Sequence, residues 1–121
     1  MSNAQDLQKI EVSIEQAQRS VKDYEIYSRL IKNKDFKYLV EELYFTENSV
    51  RLVMLRGDSN LPEDTQKNIL KEIDAIGLFR TFLRDIANNG NMAKRAIAED
   101  QITREELLAE DLLAGANGSG A

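Results

Sequence analysis

The sequence predicts an all-α fold built on a long antiparallel helical hairpin, and three observations point there. Leu7, Ile10, Ile14, Ala17, Val21, Tyr24, Ser28 and Ile31 recur at alternating steps of three and four. This is the a/d spacing of a helix that lies against another helix. A second apolar series runs from Ile69 to Ile86 with a broad helical face. Composition agrees: one Pro, six Gly and abundant Leu, Ile, Glu, Lys and Ala suit helices and argue against a sandwich or barrel.

The first helix is expected over about 4–33, with Ser2 or Asn3 as its N-cap. At ~1.5 Å per residue, thirty residues reach about 45 Å. Glu11, Glu15, Arg19, Lys22, Asp23 and Glu25 make its outer face charged, with Glu15 and Arg19 in the favourable i, i+4 order. The flanks of the seam carry Ser13, Ser20 and Tyr27 on one side and Glu11, Gln18 and Glu25 on the other. No set of charge pairs that would dictate a self-partner is written there. Val12, Ile26 and Leu30 widen the stripe further. A helix packed in a bundle or hairpin fits better than a free two-stranded rod. The seam then lies against Ile69–Ile86 of the same chain or against a second copy, and both remain open.

Two short helices are expected next. Asp35 caps one that carries Phe36, Leu39, Val40 and Leu43, and the chain turns around Tyr44, Phe45 and Thr46. Thr46 or Asn48 starts the other, which carries Val50 and Leu52–Leu55 and stops at Gly57 as a C′ residue. Four consecutive apolar residues would also suit a strand. Helix is preferred because no second strand candidate exists to pair with it.

Gly57-Asp58-Ser59-Asn60 is a loop, and Pro62, Glu63 and Asp64 suit a first helical turn. The helix that follows, 62–88 or longer, should bury Ile69, Leu70, Ile73, Ile76, Phe79, Leu83 and Ile86. Asn88-Asn89-Gly90-Asn91 commonly ends a helix, yet Ile86, Ala87, Gly90, Ala93, Ala96 and Ile97 keep the three-four spacing. A break and a continuous helix are both compatible with these residues. Thr103-x-x-Glu106 before Leu107-Leu108 has the capping-box pattern, which would begin a C-terminal helical segment over 103–113. Length sets one domain over 1–113, and the Gly/Ala/Ser run of 114–121 reads as a flexible tail.

Composition also narrows the chemistry. Sixteen basic against 21 acidic residues leave a net charge of −5, which disfavours generic binding to nucleic acid or anionic lipid. Without Cys there are no disulfides or thiolate metal sites, and without His the commonest general base and transition-metal ligand are missing. No apolar run approaches the roughly 20 residues of a membrane span, and residues 1–11 are too polar for a signal peptide. Carboxylates such as Glu41-Glu42 lie about 100° apart on a helix and read as a solvated face rather than as a metal or acid/base pair. Neither catalysis nor a cofactor is expected. Arg56-Gly57-Asp58 spells an adhesion tripeptide but is explained by a helix end followed by an Asp turn. Two basic clusters, Arg29/Lys32/Lys34/Lys37 and Arg80/Arg84/Lys94/Arg95, lack the aromatic interleaving of a nucleic-acid surface. From Glu99 to Asp111 six acidic residues face one basic residue. Ile102, Leu107, Leu108, Leu112 and Leu113 punctuate that acidic stretch, as helix-in-groove anchors for a basic partner would.

Four stretches carry a resemblance: Lys32-Asn33-Lys34-Asp35-Phe36, Tyr44-Phe45 with Val50-Arg51-Leu52-Val53, Ile73-Asp74-Ala75-Ile76-Gly77, and Thr103-Arg104-Glu105-Glu106-Leu107-Leu108. In these the chain resembles a group of small, largely uncharacterised α-helical proteins of tailed bacteriophages. The resemblance implies a phage origin and a role in the particle or its assembly, in the virion or the host cytoplasm, and it implies no activity. The expected function is that of a non-enzymatic structural or assembly protein acting through helical protein contacts with itself or other virion proteins. Leu7, Ile14, Val21 and Tyr24 are the candidate contact residues of the first helix, and Leu107, Leu108 and Leu112 those of the acidic segment. One alternative is a small protein that binds and modulates a host enzyme. A nucleic-acid-binding helical protein is the other.

Overall fold

The computed structural model describes the backbone of residues 2–119 and the side chains of residues 3–115. Among the described residues there is no strand, and the fold is all-α as expected. Helix α1 spans Ser2–Leu30, α2 is the single turn Lys34–Phe36, α3 spans Asn48–Arg56 and α4 spans Glu63–Ser119. Between α2 and α3, Lys37–Glu47 is wound as a π-helix. The Asn48 N–H accordingly reaches back five residues to the Leu43 carbonyl.

Four expected boundaries need correction. The chain does not turn at Tyr44–Thr46: residues 34–56 form one unbroken helical run in which the winding loosens instead of breaking. The cap that starts this run is Asn33 rather than Asp35, its side-chain oxygen accepting from the backbone N–H groups of Asp35 (2.9 Å) and Phe36 (3.0 Å). Asn3 is not the cap of α1, which already includes Ser2, and its side-chain amide instead donates to Asp111 of α4. Thr103 does not start a new helix either. Its hydroxyl donates to the Glu99 carbonyl four residues back, the bond a Thr makes inside a continuing helix.

Asn88–Asn91 likewise leaves α4 unbroken, so the continuous reading is the one realised. The separate C-terminal segment over 103–113 is part of that same helix, which carries the backbone on through Ser119. Gly120 and Ala121, the end of the expected tail, lie outside the described residues. Gly57 does end α3, but as its C-cap and with a right-handed φ of −72°.

The chain divides into two compact units. One comprises the residues up to Tyr24 together with those from Asn88 onward, and the other comprises Glu25–Ala87. In the first unit α1 and α4 run antiparallel. Asn3 donates to Asp111 at 2.8 Å, Ser13 donates to Asp100 at 2.8 Å, and Tyr24 meets Gly90 and Lys94. Leu7, Ile10, Ile14, Ala17, Val21 and Tyr24 are all at least half-buried, with Ile14 the most enclosed at 8 % exposure. Within this unit the segment facing α1 is therefore 88–111, while Tyr27 and Ile31, in the other unit, line a cleft with Leu83 of the expected partner series. Val12, expected to widen the stripe, stays exposed.

The second unit has its core at Leu52, Ile69 and Ile76, with Tyr44, Phe45, Leu55, Leu61 and Ile73 packed around them. Leu52 is fully enclosed. The exposed residues here include Leu39 and Leu70, which the apolar spacing had placed inside, as well as Ile26 and Leu30. Leu39 is turned out because π-winding changes which positions share a face. Phe36, Val40, Leu43, Tyr44, Phe45, Asn48 and Ser49 are the half-buried positions, so that the three successive residues Leu43, Tyr44 and Phe45 are all partly enclosed. The loop to α4 is held locally. Asn60 donates its backbone N–H to Asp58 Oδ1 at 2.9 Å, and the Gln66 side chain donates to the Leu61 carbonyl at 2.8 Å.

Candidate functional site

The four seam residues proposed from sequence as contact points are used inside the chain. Ile14 is buried, and Leu7, Val21 and Tyr24 are half-buried against the C-terminal part of α4. The two helices approach closely at Tyr24. Gly90 lies buried beneath it, and a Cβ built on Gly90 would overlap the Tyr24 Cβ and come within 2.7 Å of its Cγ. The Lys94 ammonium sits 4.6 Å from the centre of the Tyr24 ring, one helical turn along. The glycine that suggested a helix break is thus the residue that admits the tyrosine.

The three tail residues separate. Leu107 is half-buried on the side of α4 that also carries Asp100 and Asp111, the acceptors for Ser13 and Asn3. Leu108 and Leu112, four apart and therefore one above the other on the flank of the helix, are exposed, Leu112 by 76 %. Leu113 and Ile102 are exposed as well. The acidic side chains Glu105, Glu106 and Glu110 surround these leucines and are themselves exposed. The result is an apolar strip set in negative charge.

A third feature was not anticipated. Tyr44 and Phe45, adjacent in sequence, both reach Phe79 of α4, with ring centres 6.1 and 5.6 Å away. Closing each turn over five residues rather than four narrows the angle between successive side chains, which lets neighbours address one surface. Beside this cluster a cleft of about 500 Å³ opens within the second unit, walled by Tyr27, Phe36, Phe45 and Leu83 and edged by Arg80 and Arg84. The Arg80 guanidinium lies 5.7 Å from the centre of the Phe45 ring. The four-residue basic group read from sequence is thereby divided, with Arg80 and Arg84 at this cleft and Lys94 over Tyr24 in the other unit. The signal that could have revealed the cleft was the five- and four-residue spacing of Phe36, Glu41 and Phe45.

Among the described residues no group of three His, Cys, Asp or Glu side chains is placed to hold a metal ion, and no helix is long and apolar enough to cross a membrane. No protein family, curated protein or solved structure matches this chain.

Proposed function

We propose that this protein is a non-enzymatic contact protein, of the structural or assembly kind that the resemblance to tailed-phage proteins implies. Its docking element is the acidic, leucine-bearing end of α4. The observation that carries this reading is the exposure of Leu108, Leu112 and Leu113 among Glu105, Glu106, Glu110 and Asp111. Single exposed leucines are ordinary, but a strip repeated along one helix flank is the form of a helix-in-groove ligand. Buried leucines would supply the affinity, and the carboxylates would orient the helix against a basic groove. The first-helix seam takes no direct part, because its side chains are engaged within the chain.

The test is quantitative mass spectrometry of purified particles from infected cells. The reading expects the protein at many copies per particle, with loss of incorporation in a Leu112→Glu, Leu113→Glu variant that keeps its helical content. Absence from particles, with recovery on a host enzyme, would instead establish the modulator reading. The net charge of −5 favours that second reading over nucleic-acid binding, since an acidic surface suits a basic nucleic-acid channel on another protein.

A further inference from the structure

The cleft beside the π-helix carries an inference independent of the docking element. Its walls are aromatic and aliphatic, and its size falls within the range of sites that enclose small molecules. Arg80 and Arg84 stand at its edge, one turn apart on the same face of α4. Like charges at this spacing repel, and an acidic neighbour at three or four residues would relieve the pair. None exists here: the positions three and four away from both arginines are Ile76, Gly77, Thr81, Leu83, Ala87 and Asn88, apart from each other. Among the described residues no carboxylate lies within ion-pair distance of either guanidinium. Glu41 lines the same cleft and pairs with neither, so the cleft keeps a positive balance. One wall, Glu41 to Thr46, is π-helix, a rare backbone form that is frequent at functional sites.

We infer that this cleft binds a small organic anion, a carboxylate on a short apolar body, with Arg80 and Arg84 holding the carboxylate and Tyr27, Phe36 and Phe45 enclosing the body. A planar guanidinium matches a carboxylate in a two-bond fork, and two of them one turn apart would share its charge. The apolar body would displace water from the aromatic walls.

Amide NMR titration of the full chain with octanoate tests the inference, with 1-octanol and inorganic phosphate as controls. Saturable shifts confined to residues 36–46 and 80–87 are expected for octanoate, with both controls weaker by roughly tenfold or more, because each lacks one of the two recognised parts. Arg84→Gln should weaken octanoate by about tenfold, and Glu41→Gln should tighten it, since the second change removes the one opposing charge. Loss of fold cannot produce tighter binding, so the opposite signs of the two variants keep the result readable. Equal binding of octanol, shifts spread over Leu108–Leu113, or an Arg84→Gln variant with unchanged affinity would each overturn the inference.

Discussion

At the scale of single residues, Leu52 and Gly90 are points of tight packing, one in each unit. Leu52 is completely enclosed between Ile69 and Ile76. Leu52→Ala removes its contacts and leaves a cavity, so we expect a loss of about 2–5 kcal/mol in a denaturant melt followed by circular dichroism. Gly90 is the counterpart in the other unit. A glycine inside a helix costs about 1 kcal/mol relative to alanine, so Gly90→Ala ought to stabilise an isolated α4. Because the new methyl would occupy the space of the Tyr24 Cβ, the expected outcome in the protein is the opposite, a fall in Tm. Adding Tyr24→Ala would leave the overlap between Cβ atoms in place and recover little. Tyr24→Gly in the Gly90→Ala background removes the overlap, and should recover part of the loss despite the glycine introduced into α1.

Elements follow from local chemistry where that chemistry is strong. The Asn33 cap is one case. Replacing it with Ala frees the N–H groups of Asp35 and Phe36, and a loss of about 1 kcal/mol is expected in thermal melts, with faster hydrogen exchange at those two amides. The α1 seam was fully legible, because seven of its eight positions are apolar and each proves at least half-buried. The π-helix was not. Periodicity arguments assume a period of 3.6, and under that assumption Leu39 belongs inside and the chain must turn near Tyr44. Loosened winding satisfies the same side chains without a turn, turning Leu39 out and bringing Tyr44 and Phe45 to Phe79 together. Asn88–Asn91 misled for another reason. Asn88, Asn89 and Asn91 are exposed, where a modest propensity penalty is tolerable, while Gly90 answers to Tyr24 rather than to the helix around it.

At the scale of the whole molecule, the seam decides what a disruptive substitution does. Val21 is half-buried between α1 and α4 of one chain, so Val21→Asp places a carboxylate in an apolar contact without a partner. Light scattering combined with circular dichroism should therefore record reduced helix and a lower Tm, not the conversion of an oligomer into folded monomers. Which part of the candidate surface was legible follows the same logic. The acidic leucine strip could be found because charge and spacing are properties of the sequence alone. Its division, with Leu107 turned toward α1 and Leu108 and Leu112 turned away, depends on which α4 face meets Asn3 and Ser13. The arginine cleft depends on a backbone winding that no short motif announces.

That winding has a consequence for how the chain can change length. In an ordinary helix, deleting a residue rotates everything downstream by about 100° and carries buried groups into water. Lys37–Glu47 holds slack, because its wide turns accommodate more residues than tight ones over the same rise. A one-residue deletion there can be taken up by tightening a turn, leaving Leu52 in its place, whereas a deletion of the same size inside Asn48–Arg56 has nowhere to be absorbed.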